Sequence, residues 1–294
     1  MSAGRRRGED WLCEQQTAGA RLCLHVERWL VRRRSPYQAL ELAVTRDHGR
    51  VMALDGKFML SERDEPFYHE MLVHPAMLVH EAPERVLIVG GGDGGALREA
   101  LRHRTVKEAV LVEIDQAVID ASREHLPSVH YGSFDDPRVR IVVSPGETFL
   151  PEHPDTYDVI LVDSTDPIGP GKALFQAEFL AACRRALRLG GVIALQAGTP
   201  FYWPEELEHL LRELGRLFPH VGAYLGFVPL YPSGMWAYAI AGDRDWRAEE
   251  AAVHERYASR GLTTRYYTPD LHRAAFVLPR FVEELVSRAL GGEG

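Results

Sequence analysis

Apolar and polar residues alternate in three short bursts between residues 20 and 60. The bursts read RLCLHVERWLV, YQALELAVT and RVMALDGKFML, with turn signals at Gly49 and at Asp55-Gly56. Alternation with a period of two is typical of half-buried strands, and an Asp-Gly pair favours a tight hairpin. The pattern predicts a small antiparallel β domain over residues 1–62.

The period changes at Glu65, and the rest of the chain alternates strands with helices. PFYHEMLVHPAMLVH has helical spacing interrupted by Pro75, and ALFQAEFLAACRRALRLGG reads as one long helix stopped by Gly190-Gly191. Between the helices lie RVLIVGGG, AVLVEID, RVRIVVS, YDVILVD and VIALQAG, which are apolar without alternation, as in parallel strands covered on both faces. We therefore predict an α/β fold over residues 63–294. It is a Rossmann-like, methyltransferase-like, doubly wound and mostly parallel sheet.

Composition removes several classes of protein. The 294 residues are 46% hydrophobic and carry a net charge of −8 without a basic stripe, so no nucleic-acid partner is expected. The sequence shows no signal peptide and no apolar run of membrane-spanning length, so no membrane partner is expected either. Cys13, Cys23 and Cys183 form no CxxC pair. We expect neither a zinc knuckle nor a disulfide framework, and a reducing, cytoplasmic location.

The segment VLIVGGGDGG fits a strand, a GxGxxG turn and a helix. Gly90 permits the turn, Gly92 lets the backbone approach a ligand, and Gly95 lets the helix pack closely. Glu113 ends the next strand, where an acid accepts hydrogen bonds from ribose hydroxyls. Asp93 inside the loop would repel a pyrophosphate, which disfavours NAD. It favours a nucleoside that carries an ammonium or sulfonium group, such as S-adenosylmethionine or its decarboxylated form.

Four acids fall at predicted strand ends: Asp93, Glu113, Asp163 and Asp166. Ligands of open α/β sheets bind at this edge, and carboxylates gathered there repel one another unless a cation lies among them. The cation could be a metal or a polyamine. We favour a polyamine and predict no metal, because His69 is the only histidine nearby in sequence and no HxH or HExxH spacing occurs. Asp163 alone could also serve as a helix cap or Asx turn.

Several motifs together resemble those of spermidine synthases, the polyamine aminopropyltransferases. They are GGGDGG, VEID, DSTDPIGP, YHEM within SERDEPFYHEM, YPSG, LDGKFMLSERDE and YYTPDLHRAAFVLP. The resemblance covers roughly residues 36–286 and is far more specific than a glycine loop alone.

The resemblance implies roles for particular residues. On the donor side it implies a lid contact from Gln38, ribose binding by Glu113, and donor-binding loops at Gly90, Gly92, Gly146 and Pro170. On the amine side it implies Asp163 as catalytic base, Asp166 as an amine anchor, His69 and Asp93 as holders of the aminopropyl or polyamine amine, Tyr68 and Tyr231 as holders of the acceptor amine, and Gln196 as a further contact.

Two positions depart from the family pattern, both on the donor side. Pro145 stands where the family carries an acid that accepts from the adenine amino group, and Met59 replaces a glutamine. Three explanations are open. The usual donor binds less tightly, with Ser144 or Glu147 substituting; the donor or amine is a different one; or the chain is a weakly active paralogue. Losing one neutral hydrogen bond costs about 1 kcal/mol, which activity can survive.

The function that these features favour is transfer of an aminopropyl group from decarboxylated S-adenosylmethionine, a co-substrate, to a diamine, by default putrescine. No further cofactor is expected, and the resemblance implies a homodimer or homotetramer. The alternatives are an S-adenosylmethionine-dependent methyltransferase, which does not need Asp163 and Asp166, and a non-enzymatic polyamine-sensing protein.

Overall fold

The structure, a computed structural model, describes residues 10–165, 169–245, 247 and 250–291. The chain divides into two compact units, Met1–Asp64 and Glu65–Gly294. The first is a β-sheet domain and the second is an α/β domain.

The first unit contains a five-stranded antiparallel sheet whose strands follow chain order. Its strands are β1 (Trp11–Thr17), β2 (Ala20–Arg34), β3 (Ala39–Thr45), β4 (Gly49–Leu54) and β5 (Lys57–Ser61). Asp55 and Gly56 join β4 to β5 with positive φ angles of 47° and 75°. A two-residue hairpin of this kind needs that backbone conformation, and Asp-Gly supplies it. The predicted antiparallel β fold is confirmed.

The prediction that the cysteines form no disulfide is wrong. Cys13 on β1 lies directly opposite Cys23 on β2, and the two are joined by a disulfide with their Cα atoms 4.1 Å apart. They are ten positions apart along the chain, and only the pairing register of the hairpin makes them neighbours. Cys183 is free and buried. The cysteine pattern therefore carries no argument for a reducing location.

The second unit is built on a seven-stranded sheet with helices on its faces. The strands are β6 (Arg85–Gly90), β7 (Glu108–Glu113), β8 (Val139–Val143), β9 (Tyr157–Asp163), β10 (Leu187–Gln196), β11 (His220–Phe227) and β12 (Met235–Gly242). The α-helices are α1 (Glu65–Val79), α2 (Gly95–Leu101), α3 (Gln116–His125), α4 (Pro127–His130), α5 (Gly146–Phe149), α6 (Ala177–Ala186), α7 (Pro204–Gly215), α8 (Glu250–Ser259), α9 (Pro269–Ala275) and α10 (Arg280–Leu290). Short 3-10 helices cover Ser133–Asp135, Leu150–Glu152 and Gly169–Phe175. No helix in the part of the chain that the structure describes is long and apolar enough to cross a membrane.

The order of the strands places a crevice at the middle of this sheet. The order is β11-β12-β10-β9-β6-β7-β8, in which β12 runs antiparallel to its neighbours β10 and β11, and β11 therefore runs in the same direction as the other strands. From β6 the chain first builds outward to β7 and β8, and then crosses to β9 on the other side. The carboxyl ends of β6 and β9 therefore form the topological switch point, where ligands of such sheets bind. The predicted doubly wound, mostly parallel fold is confirmed.

Helix α1 continues through Pro75, where the sequence predicted an interruption. Proline has no N–H, so the carbonyl of Met71, four residues earlier, loses its helical partner. The hydroxyl of Tyr224 donates to this carbonyl at 2.8 Å and replaces the missing bond. A side chain more than 150 residues away in sequence thus keeps α1 unbroken.

The long helix predicted to end at Gly190-Gly191 is wrong at its C-terminal end. Helix α6 stops at Ala186, and residues from Leu187 onward belong to β10. Leu187 pairs with Tyr157, and the register shifts between Leu187 and Val192, with Gly190 at a φ of 81°. Pairing with the buried strand β9 therefore overrides the helical preference of this segment.

Candidate active site

The loop after β6 lies against the last residue of β9. Gly90 pairs with Asp163, and the N–H of Gly91 donates to the Asp163 carbonyl at 2.8 Å. A Cβ atom on Gly90 would overlap that carbonyl oxygen, and one on Gly91 would lie 2.8 Å from Asp163 Oδ2. Glycines here let the glycine loop and the Asp163 carboxylate share the switch point.

Asp163 is a buried carboxylate with one satisfied and one available oxygen. The Tyr68 hydroxyl donates to Oδ1 at 2.8 Å, whereas Oδ2 has no hydrogen-bond partner among the described residues. Burial, and next the charge of Asp93, raise the pKa of Asp163 to about 6. Burial also raises the pKa of Tyr68, so the phenol stays protonated and donates. Asp163 is arranged to accept one more proton or one cationic group.

His69 lies between two carboxylates. Its Nδ1 is 2.8 Å from Glu65 Oε2 and its Nε2 is 3.2 Å from Asp93 Oδ1. Burial alone would lower the pKa of His69, but Asp93 and Glu65 outweigh burial and hold that pKa well above its usual value. The reciprocal effect lowers the pKa of Asp93, although burial opposes it. His69 is therefore an imidazolium and Asp93 a carboxylate.

Aromatic rings surround the Asp163 end of this cluster. The ring centroid of Tyr68 is 5.5 Å from that of Tyr231 and 5.8 Å from that of Tyr238. Trp236 packs 4.6 Å from Tyr231, and its buried indole N–H has no acceptor among the described residues. Aromatic faces next to carboxylates are a favourable setting for an organic ammonium ion.

Glu113 marks a second part of the site, at the end of β7. It is 7% exposed, and the N–H of Asp115 donates to its Oε1 at 2.9 Å. Burial raises its pKa to about 7. A Cβ atom on Gly92 would lie 3.0 Å from Glu113 Oε2, so this glycine keeps the glycine loop close to the acid.

The remaining predicted residues lie in varied surroundings. Gln196 is 1% exposed, and within the described part of the chain its amide binds main chain, at the carbonyls of Ser164 and Thr165 and the N–H of Gly198. This arrangement makes Gln196 a support for the backbone of Ser164 and Thr165, which follow β9. Gly146 begins α5, where a Cβ atom would meet Val89 at 2.6 Å.

For three further residues the predicted site roles stay predictions. Asp166 lies outside the described residues. The backbone of Pro170 belongs to the 3-10 helix Gly169–Phe175. Gln38 is buried within the first unit, between β2 and β3. The structure thus brings together Tyr68, His69, Asp93, Asp163 and Tyr231.

Three groups of this cluster also meet a distance criterion for a metal site. Ligand atoms of His69, Asp93 and Asp163 lie within 4.8 Å of one another. However, both ring nitrogens of His69 face carboxylates, and an imidazolium has no lone pair to give a metal. The chemistry of the donor set therefore favours an organic cation.

The sequence interpretation missed two residues next to this cluster. Glu65 lies four residues before His69 on α1, a spacing that places both on one helical face and could have been noticed. Arg98 on α2 binds Glu65 through both terminal nitrogens, Nη1 at 2.9 Å and Nη2 at 2.8 Å. No feature of the sequence around Arg98 indicates this contact.

Comparison with known proteins identifies the family. Residues 65–250 match the spermine/spermidine synthase domain, and residues 10–62 match the spermidine synthase tetramerisation domain. The polyamine aminopropyltransferase of Thermoanaerobacter sp. (strain X514) is 40% identical over 277 residues, which are 94% of this chain and 98% of that protein. The polyamine aminopropyltransferase of Bacillus subtilis (strain 168) is 40% identical over 279 residues, 95% of this chain and 99% of that protein.

Solved structures agree with this assignment. A spermidine synthase in complex with the transition-state analogue AdoDATO superposes with a TM-score of 0.92 at 38% identity, covering 98% of both chains. Spermidine synthase from Thermotoga maritima gives a TM-score of 0.89 at 36% identity, covering 98% of this chain and 97% of that one. The resemblance predicted from the motifs is confirmed: this chain is an aminopropyltransferase of the spermine/spermidine synthase family.

Proposed function

We propose that this enzyme transfers the aminopropyl group of decarboxylated S-adenosylmethionine to putrescine, giving spermidine and methylthioadenosine. The observation that carries the proposal is the pairing of two different carboxylates at the switch point. Asp93 is bonded to an imidazolium and stays ionised, whereas Asp163 has a pKa raised to about 6 and an available oxygen. Asp93 suits an ammonium ion that stays charged, and Asp163 suits a proton that is accepted during the reaction and released afterwards.

The reaction is a displacement at carbon. The lone pair of a neutral amine forms the new C–N bond at the methylene next to the sulfonium, and the C–S electron pair leaves with sulfur as methylthioadenosine. Asp163 Oδ2 takes the proton that the new ammonium loses. A free alkylamine has a pKa near that of lysine, about 10.4, so positioning the lone pair contributes beside the basicity of Asp163.

Selection of the donor follows from the charge of Asp93. A decarboxylated donor presents only its primary ammonium to this residue. Intact S-adenosylmethionine would add a carboxylate next to Asp93 and Asp163, and like charges in a buried site are costly. Glu113, at the end of β7, is proposed to accept the ribose hydroxyls.

We also propose that the enzyme needs no metal or added cofactor, and that it assembles as a homodimer or homotetramer. The match of residues 10–62 to a tetramerisation domain supports the larger assembly. Light scattering at several protein concentrations distinguishes the two.

Product identification tests the proposed reaction. Purified enzyme is given putrescine with either decarboxylated or intact S-adenosylmethionine, with and without EDTA, and products are separated by mass spectrometry. We expect spermidine and methylthioadenosine from the decarboxylated donor alone, unaffected by EDTA. A methylated product, or no product with any diamine, would reject the proposal. Transfer to cadaverine or agmatine in preference to putrescine would correct the acceptor only.

A further inference from the structure

We propose that Glu65, braced by Arg98, is a positioning residue for aminopropyl transfer, which holds the His69 ring so that Nε2 faces the Asp93 carboxylate. The inference rests on the proposed function, because that function gives Asp93 and Asp163 their roles in catalysis. It adds a residue that touches none of the reacting groups.

The geometry allows His69 one position. Glu65 fixes Nδ1 at 2.8 Å, and the ring packs against the first turn of α2, where a Cβ atom on Gly95 would lie 2.6 Å from Nε2. The same helix presents the N–H of Gly95, which donates to Asp93 Oδ1 at 2.7 Å. Ring and carboxylate are thus held against one helix terminus.

Arg98 holds Glu65 in place from the other side. Its two terminal nitrogens bind both Glu65 oxygens, and its Nε donates to Glu99 Oε1 at 2.7 Å. The Glu65 side chain is 2% exposed and that of Arg98 is 9% exposed. A bidentate pair of this kind fixes the plane of the carboxylate as well as its distance. Glu65 therefore cannot rotate away from His69 without breaking two charged bonds.

The charge of His69 acts on the proposed base. Burial and Asp93 raise the pKa of Asp163, whereas the His69 cation lowers it. If Glu65 lost its charge, His69 would become neutral more readily and the pKa of Asp163 would rise. Among the described residues, the titratable or charged groups that interact with His69, Asp93 or Asp163 are Glu65, Tyr68, Arg98, Glu113, His130 and Tyr238, while Tyr231 faces Tyr68.

Glu99 provides a matched control on the same guanidinium. It is as buried as Glu65 and binds Arg98, but its other oxygen faces His74 Nε2 at 3.1 Å, away from His69. Glu65→Gln and Glu99→Gln therefore remove one buried carboxylate charge each from Arg98. Only the first removes it from His69.

The test compares the pH dependence of kcat/KM in the two variants. We expect Glu65→Gln to move the acid limb upward by about one pH unit, with about a tenfold loss of rate on the acid side, and Glu99→Gln to leave the limb in place. The proposal would be overturned if the acid limb of kcat/KM stayed in place in a folded Glu65→Gln enzyme. It would also be overturned if both variants moved that limb by the same amount.

A measurement on the unaltered enzyme can still refute the proposal if Glu65→Gln fails to fold. The ring-nitrogen resonances of His69, identified by their absence in His69→Gln, report the protonation state without any substrate. We expect an imidazolium at about pH 8, where an ordinary histidine is neutral. A neutral ring there would overturn the proposal. Because this readout needs no turnover, its result is independent of whether putrescine is the acceptor.

Discussion

Asp163→Asn tests the proposed catalytic role of this carboxylate separately from its effect on folding. The substitution keeps the shape of the side chain and an acceptor for the Tyr68 hydroxyl, which lies 2.8 Å from Oδ1. It removes the oxygen that would take the proton. General bases contribute about 10²–10⁴-fold, so kcat is expected to fall by that factor while methylthioadenosine still binds.

Asp163→Asn should lower kcat, but it should favour the folded state as the pH rises. In the folded chain the pKa of Asp163 is raised from 3.8 to about 6, so the folded state holds its proton where the unfolded state has lost it. Folding stability therefore falls as pH rises from about 4 to about 6, and the difference between the two pKa values corresponds to about 3 kcal/mol. Asparagine does not titrate, so the variant lacks this loss. Its free energy of unfolding, relative to the unaltered enzyme, should rise by about 2 kcal/mol between about pH 4 and about pH 8, because part of the loss of about 3 kcal/mol has already occurred at pH 4.

Urea unfolding at both pH values and steady-state rates on the same preparations test the pair of effects. Any fixed cost of the new amide cancels in the comparison between the two pH values. A variant that keeps the original rate would show that Asp163 is not the base. If the difference in free energy of unfolding between the variant and the unaltered enzyme does not change with pH, burial does not destabilise the ionised Asp163 carboxylate.

Two further substitutions test neighbouring contacts. Tyr68→Phe removes the donor to Asp163 and should lower kcat/KM about tenfold, because hydrogen bonds to charged groups are worth about 1.5–3 kcal/mol. Initial rates measure this loss, and an unchanged kcat/KM would show that the 2.8 Å bond does not contribute to turnover. Gly95→Ala places a methyl group 2.6 Å from His69 Nε2 and should cost about 1–3 kcal/mol of stability along with activity. Thermal unfolding measures that cost against Gly19→Ala, where the added carbon meets nothing within 4 Å; equal melting points for the two variants would contradict the packing argument.

The fold could be predicted because its local signals agree with one another. The glycine turn after β6, the Glu113 at the end of β7 and the apolar run of β9 each indicate a parallel sheet, and the structure has the predicted sheet. Errors came where distant pairing overrides a local preference. Leu187 joins a strand because β9 lies beside it, and Pro75 stays helical because Tyr224 replaces its missing bond.

Less of the candidate site than of the fold could be predicted from the sequence. Acids at strand ends must gather at one edge, so the meeting of Asp93 with Asp163 could be expected. Hydrogen bonds and ion pairs behind that edge of the sheet depend on the directions of side chains, which no sequence pattern reveals. The contact of Arg98 with Glu65 and the main-chain bonds of Gln196 are of this kind. The Cys13–Cys23 disulfide was missed because the register of β1 and β2 was unknown from the sequence.

Proton release on amine binding tests the central claim most directly, because that claim concerns the charge of the site. Titration calorimetry with putrescine, in buffers of different ionisation enthalpy, counts the protons exchanged on binding. An ammonium bound beside Asp163 should lower its pKa from about 6, so we expect release of about half a proton near pH 6 and less near pH 8. Asp163→Asn should abolish the difference between the two pH values. Proton uptake, or a release that is the same at both pH values in the unaltered enzyme, would contradict an ammonium bound at this carboxylate.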